Sequence, residues 1–182
     1  AIPAVFEFGL DSKDVVYGFE RQPFFTDLYT RVDNNQAAPN NVQAVAIELI
    51  NPYPTAFENF STWSLRFRLR SGKPKVLSMP TGSRIPAAIS DTQPGRLVIH
   101  AGPIRFSTMD NASTISMSDL LSHIWDANSI ELLRPDPVNP SDFITVDRID
   151  RQYIEPLLTD ATTPGPTHHI LLRDDQAWKF TN

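Results

Sequence analysis

Between Thr62 and Arg70 the chain alternates: Trp63, Leu65, Phe67 and Leu69 are apolar, and Ser64, Arg66, Arg68 and Arg70 are polar. Successive side chains of an extended strand point to opposite faces, so this period of two specifies a strand with one face in a core and the other in water. Proline extends the constraint to the rest of the chain. There are 16 prolines against 7 glycines, often beside Asn, Asp, Ser or Thr, as in Asn51-Pro52, Asp136-Pro137 and Asn139-Pro140. Such pairs punctuate short strands and break long helices. A helix-dominated fold is not expected.

Other segments carry strand signals of the same kind. Phe24 to Val32 mixes aromatic and β-branched residues, and Val42 to Ile50 is almost continuously apolar, with Glu48 inside it and Asn51-Pro52 as its stop. Ser71-Gly72-Lys73-Pro74 reads as a turn into Lys75 to Met79. Arg96 to His100, Ile130 to Leu133, Phe143 to Val146, Ile170 to Leu172 and Ala177 to Phe180 follow, the last two joined as a hairpin through Asp174-Asp175-Gln176. One short helix is predicted from Ser118 to Trp125, capped by Ser116 with Asp119 three residues on, and buried through Leu120, Leu121, Ile124 and Trp125. About ten strands with one helical excursion predict an all-β sandwich. Its expected core contains Val45, Ile47, Leu49, Trp63, Leu65, Phe67, Leu97 and Ile99.

A length of 182 residues suits a single domain over 1–182. With 41% hydrophobic and 20% charged residues the chain is too apolar to be disordered. The absence of cysteine excludes disulfide staples, thiolate metal sites and a cysteine nucleophile. A net charge of −5 gives no attraction to nucleic acid or anionic lipid. No apolar run approaches the roughly 20 residues that span a bilayer, so no membrane insertion is expected in this segment.

The signatures of common enzymes, G-x-S-x-G, the P-loop, H-E-x-x-H and G-x-G-x-x-G, are missing, and the chain reads as non-enzymatic with no cofactor and no metal. His168 and His169 are neighbours and would face opposite sides of a strand. Glu20, Asp27 and Glu48 would gather if their strands adjoin; the favoured reading pairs them with Arg21 and Arg31 at a sheet edge rather than with calcium. Asp147, Arg148, Asp150 and Arg151 alternate in sign, as a solvated ion-pair face does. Arg66, Arg68 and Arg70 would stand about 7 Å apart along one strand face, where they would grip an acidic partner or simply guard the sheet. Trp178, beside Lys179, is the one tryptophan not assigned to a core, and Asn59-Phe60-Ser61 and Asn111-Ala112-Ser113 fit glycosylation acceptors.

From Ala44 to Ala101 the order of features resembles a lamin-tail domain. The parts are Ala46-Ile47-Glu48-Leu49-Ile50-Asn51-Pro52, Phe60-Ser61-Thr62-Trp63-Ser64-Leu65, Leu77-Ser78-Met79-Pro80, Ile85-Pro86-Ala87-Ala88 and Arg96-Leu97-Val98-Ile99, with Phe24-Phe25-Thr26-Asp27-Leu28 as opening strand. Thr62 and Ala88 stand where that family usually has glycine. Tyr17-Gly18-Phe19-Glu20-Arg21-Gln22-Pro23-Phe24, Leu132-Leu133-Arg134-Pro135 and Val146-Asp147-Arg148 are similar to segments of exported prepilin-type or pilus-assembly-associated bacterial proteins that carry such modules. The resemblance implies an immunoglobulin-like sandwich with extra terminal strands, in an extracytoplasmic, envelope-associated or secreted protein. The implied function is structural or protein-binding, with other protein chains as partners.

Two other readings share this composition: a carbohydrate-binding module with exposed aromatics near Trp178, and a viral capsid or surface sandwich. Ala1 to Phe8 and Ala177 to Asn182 are apolar enough to be strands without obvious partners, and self-association through such edges is expected.

Overall fold

The computed structural model describes residues 21–32, 42–90, 92–106, 112–159, 167–171 and 180–181. These form an all-β sandwich. The first sheet holds β1 (Phe24–Val32), β2 (Val42–Asn51), β5 (Gly95–Ala101), β7 (Ala112–Ser116) and β10 (Thr167–Leu171), in the order β10-β1-β2-β5-β7. The second holds β3 (Ser64–Leu69), β4 (Lys75–Ser78), β8 (Ala127–Pro135) and β9 (Phe143–Asp150), in the order β4-β3-β8-β9. All neighbours are antiparallel except β5 and β7. A two-stranded pair joins β6 (Arg105–Phe106) to β11 (Phe180–Thr181).

The period of two decides which residues lie between the sheets. From the first sheet come Leu28, Val45, Ile47, Leu49, Leu97 and Ile99; from the second come Leu65, Phe67, Ile130, Leu132 and Ile149. All eight expected core residues are buried, Trp63 the least so at 9% exposure. Trp63 stacks on Phe60 at 5.0 Å and meets the edge of Phe57 at 6.0 Å. It enters β3 from a single 3-10 turn over Phe60–Thr62, so the strand begins two residues later than the alternation does.

The Asn-Pro stop after β2 is a buried staple. Asn51 Nδ2 donates to the carbonyls of Thr55 (2.9 Å) and Pro86 (2.8 Å), while Oδ1 accepts from the N–H of Tyr53 (3.0 Å). Pro86 also sets the need for glycine at 95: a Cβ there would sit 1.8 Å from its carbonyl oxygen. The turn between β8 and β9 is fixed by Asp136 Oδ1, which accepts from the N–H groups of Val138 (2.7 Å) and Asn139 (3.3 Å).

Two helices close the sandwich. α1 (Asp119–Ile124) packs against β2, β3 and β5 through Leu120 and Ile124. Its N-cap is Ser118, without a side-chain capping bond; Ser116, the expected cap, belongs to β7 and pairs with His100. α2 (Arg151–Thr159) packs against β1, β8, β9 and β10 and was not expected, because Pro156 lies inside it. Its Ile154, Leu157 and Leu158 are buried, and Thr30 Oγ1 donates to the carbonyl of Leu157 at 2.8 Å.

Two further expectations are corrected. Among the described residues β10 pairs with β1 and β11 with β6, rather than with each other as a hairpin. β11 also gives Phe180 and Thr181 an internal partner, which weakens that half of the argument for open terminal strands; Ala177 to Lys179, Asn182 and Ala1 to Phe8 lie outside the described residues.

Candidate binding face on the second sheet

In β3, Leu65 and Phe67 face the core, so Ser64, Arg66 and Arg68 take the outer face, as the alternation predicts. Register brings Leu133, Glu131 and Ser129 of β8 beside them, and Thr145, Arg148 and Asp150 of β9 beyond. Glu131 is the organising residue. Its side chain is 3% exposed, and both oxygens are taken by arginine: Arg66 Nε reaches Oε2 and Arg68 Nε reaches Oε1, each at 2.5 Å. Burial alone raises the Glu131 carboxyl, but the hydrogen bonds and charges of Arg68 and Arg66 outweigh it and hold the group below its ordinary value.

Arg66 also donates from Nη2 to Thr145 Oγ1 at 3.0 Å. Thr145 lies two strands away, roughly 10 Å across the sheet, so the arginine lies flat over β8. Leu133, opposite Ser64 on the same face, is 1% exposed. Arg68 is different. Its side chain is 47% exposed, and its terminal nitrogens donate no hydrogen bond among the described residues.

Arg70 continues the stripe beyond the strand's end. Its Nε meets Asp126 Oδ1 at 3.3 Å, and Asp126 Oδ2 also accepts from the hydroxyl (2.5 Å) and N–H (3.2 Å) of Ser71. The Ser71 hydroxyl, joined by the Ser71 N–H and Arg70, holds the Asp126 carboxyl below its ordinary value against the opposing effect of burial. Gly72, at φ +94°, turns the chain towards β4; Lys73 in that turn and Lys75 at the start of the strand are exposed. Arg148 and Asp150 form an exposed pair at 2.6 Å. Arg66, Arg68 and Arg70 thus share two acids, Glu131 and Asp126, and with the exposed Lys73 and with Lys75, which stands opposite Phe67 on the other side of β4, they make the hairpin β3–β4 cationic on a molecule of net charge −5.

The other singled-out residues fall elsewhere. Asp27 and Glu48 are cross-strand neighbours and buried, as the gathering of their strands requires. The cation on Glu48 is Arg96, whereas Arg21 donates to Thr55 Oγ1 (3.0 Å) and lies over the Tyr53 ring; β1 and β2 are inner strands, not an edge. Sequence reasoning missed Arg96, because only the pairing of β5 with β2 brings it to Glu48. Asp147 leaves the expected ion-pair face and caps β1, accepting from the N–H of Phe25 at 2.8 Å. His169 and His168 pair with Tyr29 and Thr30. Trp125 is half-buried against the core, while Glu20 and Trp178 lie outside the described residues. Among the described residues no three His, Cys, Asp or Glu side chains gather as a metal site, and no helix is long and apolar enough to cross a membrane. No family model, curated protein or solved structure matches the chain.

Proposed function

We propose that this chain is a non-catalytic binding or assembly module that docks other protein chains on the arginine face of its second sheet. The observation that carries the reading is the sharing of one buried carboxylate by two arginines. Glu131 neutralises a single charge yet orients two guanidiniums, so the surface keeps a surplus of fixed positive charge. Side chains already held in place lose less conformational freedom when a partner arrives. Guanidiniums so placed suit carboxylates on a protein surface.

The same proposal keeps the extracytoplasmic, envelope-associated setting and the immunoglobulin-like, lamin-tail-like character that the sequence resemblance implies. The packing of two sheets around Trp63 supports the latter. Titration of a labelled acidic peptide, a neutral one and a basic one over a range of salt tests the reading. Tightest binding of the acidic peptide, weakening with salt and lost in the double variant Arg66→Glu/Arg68→Glu, is expected. Equal binding of all three peptides by the unaltered protein at low salt would overturn it.

A further inference from the structure

We infer that the partner of this face is an extended acidic segment of another polypeptide, added to the second sheet as a strand beside β4. The inference rests on the binding reading above and specifies its geometry.

β4 is an edge: among the described residues it pairs with β3 alone. The phase of that pairing is fixed by Met79, whose N–H donates to the carbonyl of Trp63 at 3.0 Å. In an antiparallel ladder hydrogen-bonded pairs alternate with non-bonded ones. Leu77 with Leu65 and Lys75 with Phe67 therefore bond inward, and the N–H and C=O groups of Val76 and Ser78 point away from the sheet. Lys75, Val76 and Ser78 are all exposed, Val76 at 50%. Two donors and two acceptors thus stand in a row on an open edge, the arrangement that strand addition uses.

Charge selects the occupant. Between Glu58 and Asp91 the chain has no acid, yet it carries Arg66, Arg68, Arg70, Lys73, Lys75 and Arg84, six of its 16 lysines and arginines. A second copy of the hairpin would set Lys73 and Lys75 against their own kind. An acidic strand meets no such opposition. Every second side chain of an added strand would lie on the arginine face beside Val76 and Ser78, with Arg66 one strand further, roughly 10 Å away. A glutamate and an arginine, each extended, span that distance. The intervening side chains would lie on the inner-face side, beside Leu77, which packs against the core, and the exposed Lys75. The fitting segment therefore alternates acidic and apolar residues.

The test compares four ligands: an alternating acidic–apolar peptide, a scramble of it, the same peptide N-methylated at alternate residues, and a neutral alternating peptide. The parent is expected to bind best, with affinity falling about tenfold or more on N-methylation, which removes ladder donors and keeps every charge. Val76→Pro should weaken binding to a similar extent, since it removes one outward N–H at the kind of edge position where proline is tolerated; the peptide arm decides if that variant fails to fold. Equal affinity for the parent and N-methylated peptides would overturn strand addition while leaving the binding face intact. Failure of every acidic peptide to bind would sink the binding reading itself. Peptide-free dimerisation abolished by Val76→Pro would replace the acidic partner with a second copy.

Discussion

Replacing Glu131 by Gln keeps the shape of the side chain and removes the charge that two arginines share. Hydrogen bonds to a charged group contribute about 1.5–3 kcal/mol each. The Arg66 pair is close to that regime, its side chains being 24% and 3% exposed. Arg68 is 47% exposed, and water screens its share to about 1 kcal/mol or less. Gln still offers one neutral oxygen, so a net loss of about 2–3 kcal/mol follows, below the 3–5 typical of a pair broken deep in a core. For a chain of this length that lowers the unfolding midpoint by about 4–12 °C. Arg66→Gln and Arg68→Gln should each do less, because Glu131 keeps its other partner. The pH dependence is the sharper assay. Glu131 is depressed in the folded state, so its stabilisation is complete above the ordinary value of 4.5 and is lost as pH falls through the lower folded value. The gap between wild type and Glu131→Gln, followed by thermal unfolding, should be widest near neutrality and close in acid. A gap that is absent at neutral pH, or that persists unchanged in acid, refutes the shared carboxylate as the organiser of the face.

Trp63→Ala should cost about 3–5 kcal/mol in denaturant unfolding, since it empties the space against Phe57 and Phe60. Asn51→Asp should destabilise more at pH 7 than at pH 4, because the charged oxygen that replaces Nδ2 would face the carbonyls of Thr55 and Pro86, only the other oxygen keeping its Tyr53 N–H; the two midpoints measure this. Asp147→Ala should cost about 1–2 kcal/mol and raise amide exchange at Phe25, whose N–H loses its cap. Gly95→Ala should lower the midpoint markedly, because backbone at Pro86 must move to admit the methyl group.

Much of the sandwich was legible because strands buried on one or both faces leave strong patterns. The alternation through Trp63 and Phe67 and the apolar run through Ile47 gave the inner residues of both sheets. β7 was not legible: Ala-Ser-Thr-Ile-Ser offers one apolar side chain, and its parallel pairing with β5 is a tertiary choice. α2 was obscured by Pro156, although Ile154, Leu157 and Leu158 repeat at helical spacing. Of the candidate site, the arginine stripe could be read from residue parity alone. Glu131 could not, because only strand pairing brings a residue 65 positions away from Arg66 onto the same face.

The position of β1 has a consequence for how the protein is made. It lies between β2 and β10, and Asp27 faces Leu171, 144 residues further along the chain. At the roughly 5–20 residues per second of translation, one side of β1 waits about 7–30 s for its neighbour to be synthesised. A nascent chain can pair β1 with β2 early, but the first sheet stays one strand short until translation has passed Leu171. A ribosome stalled before Thr167 would hold a sheet whose outermost strand is β1, with Leu28 and Tyr29 on a bare edge.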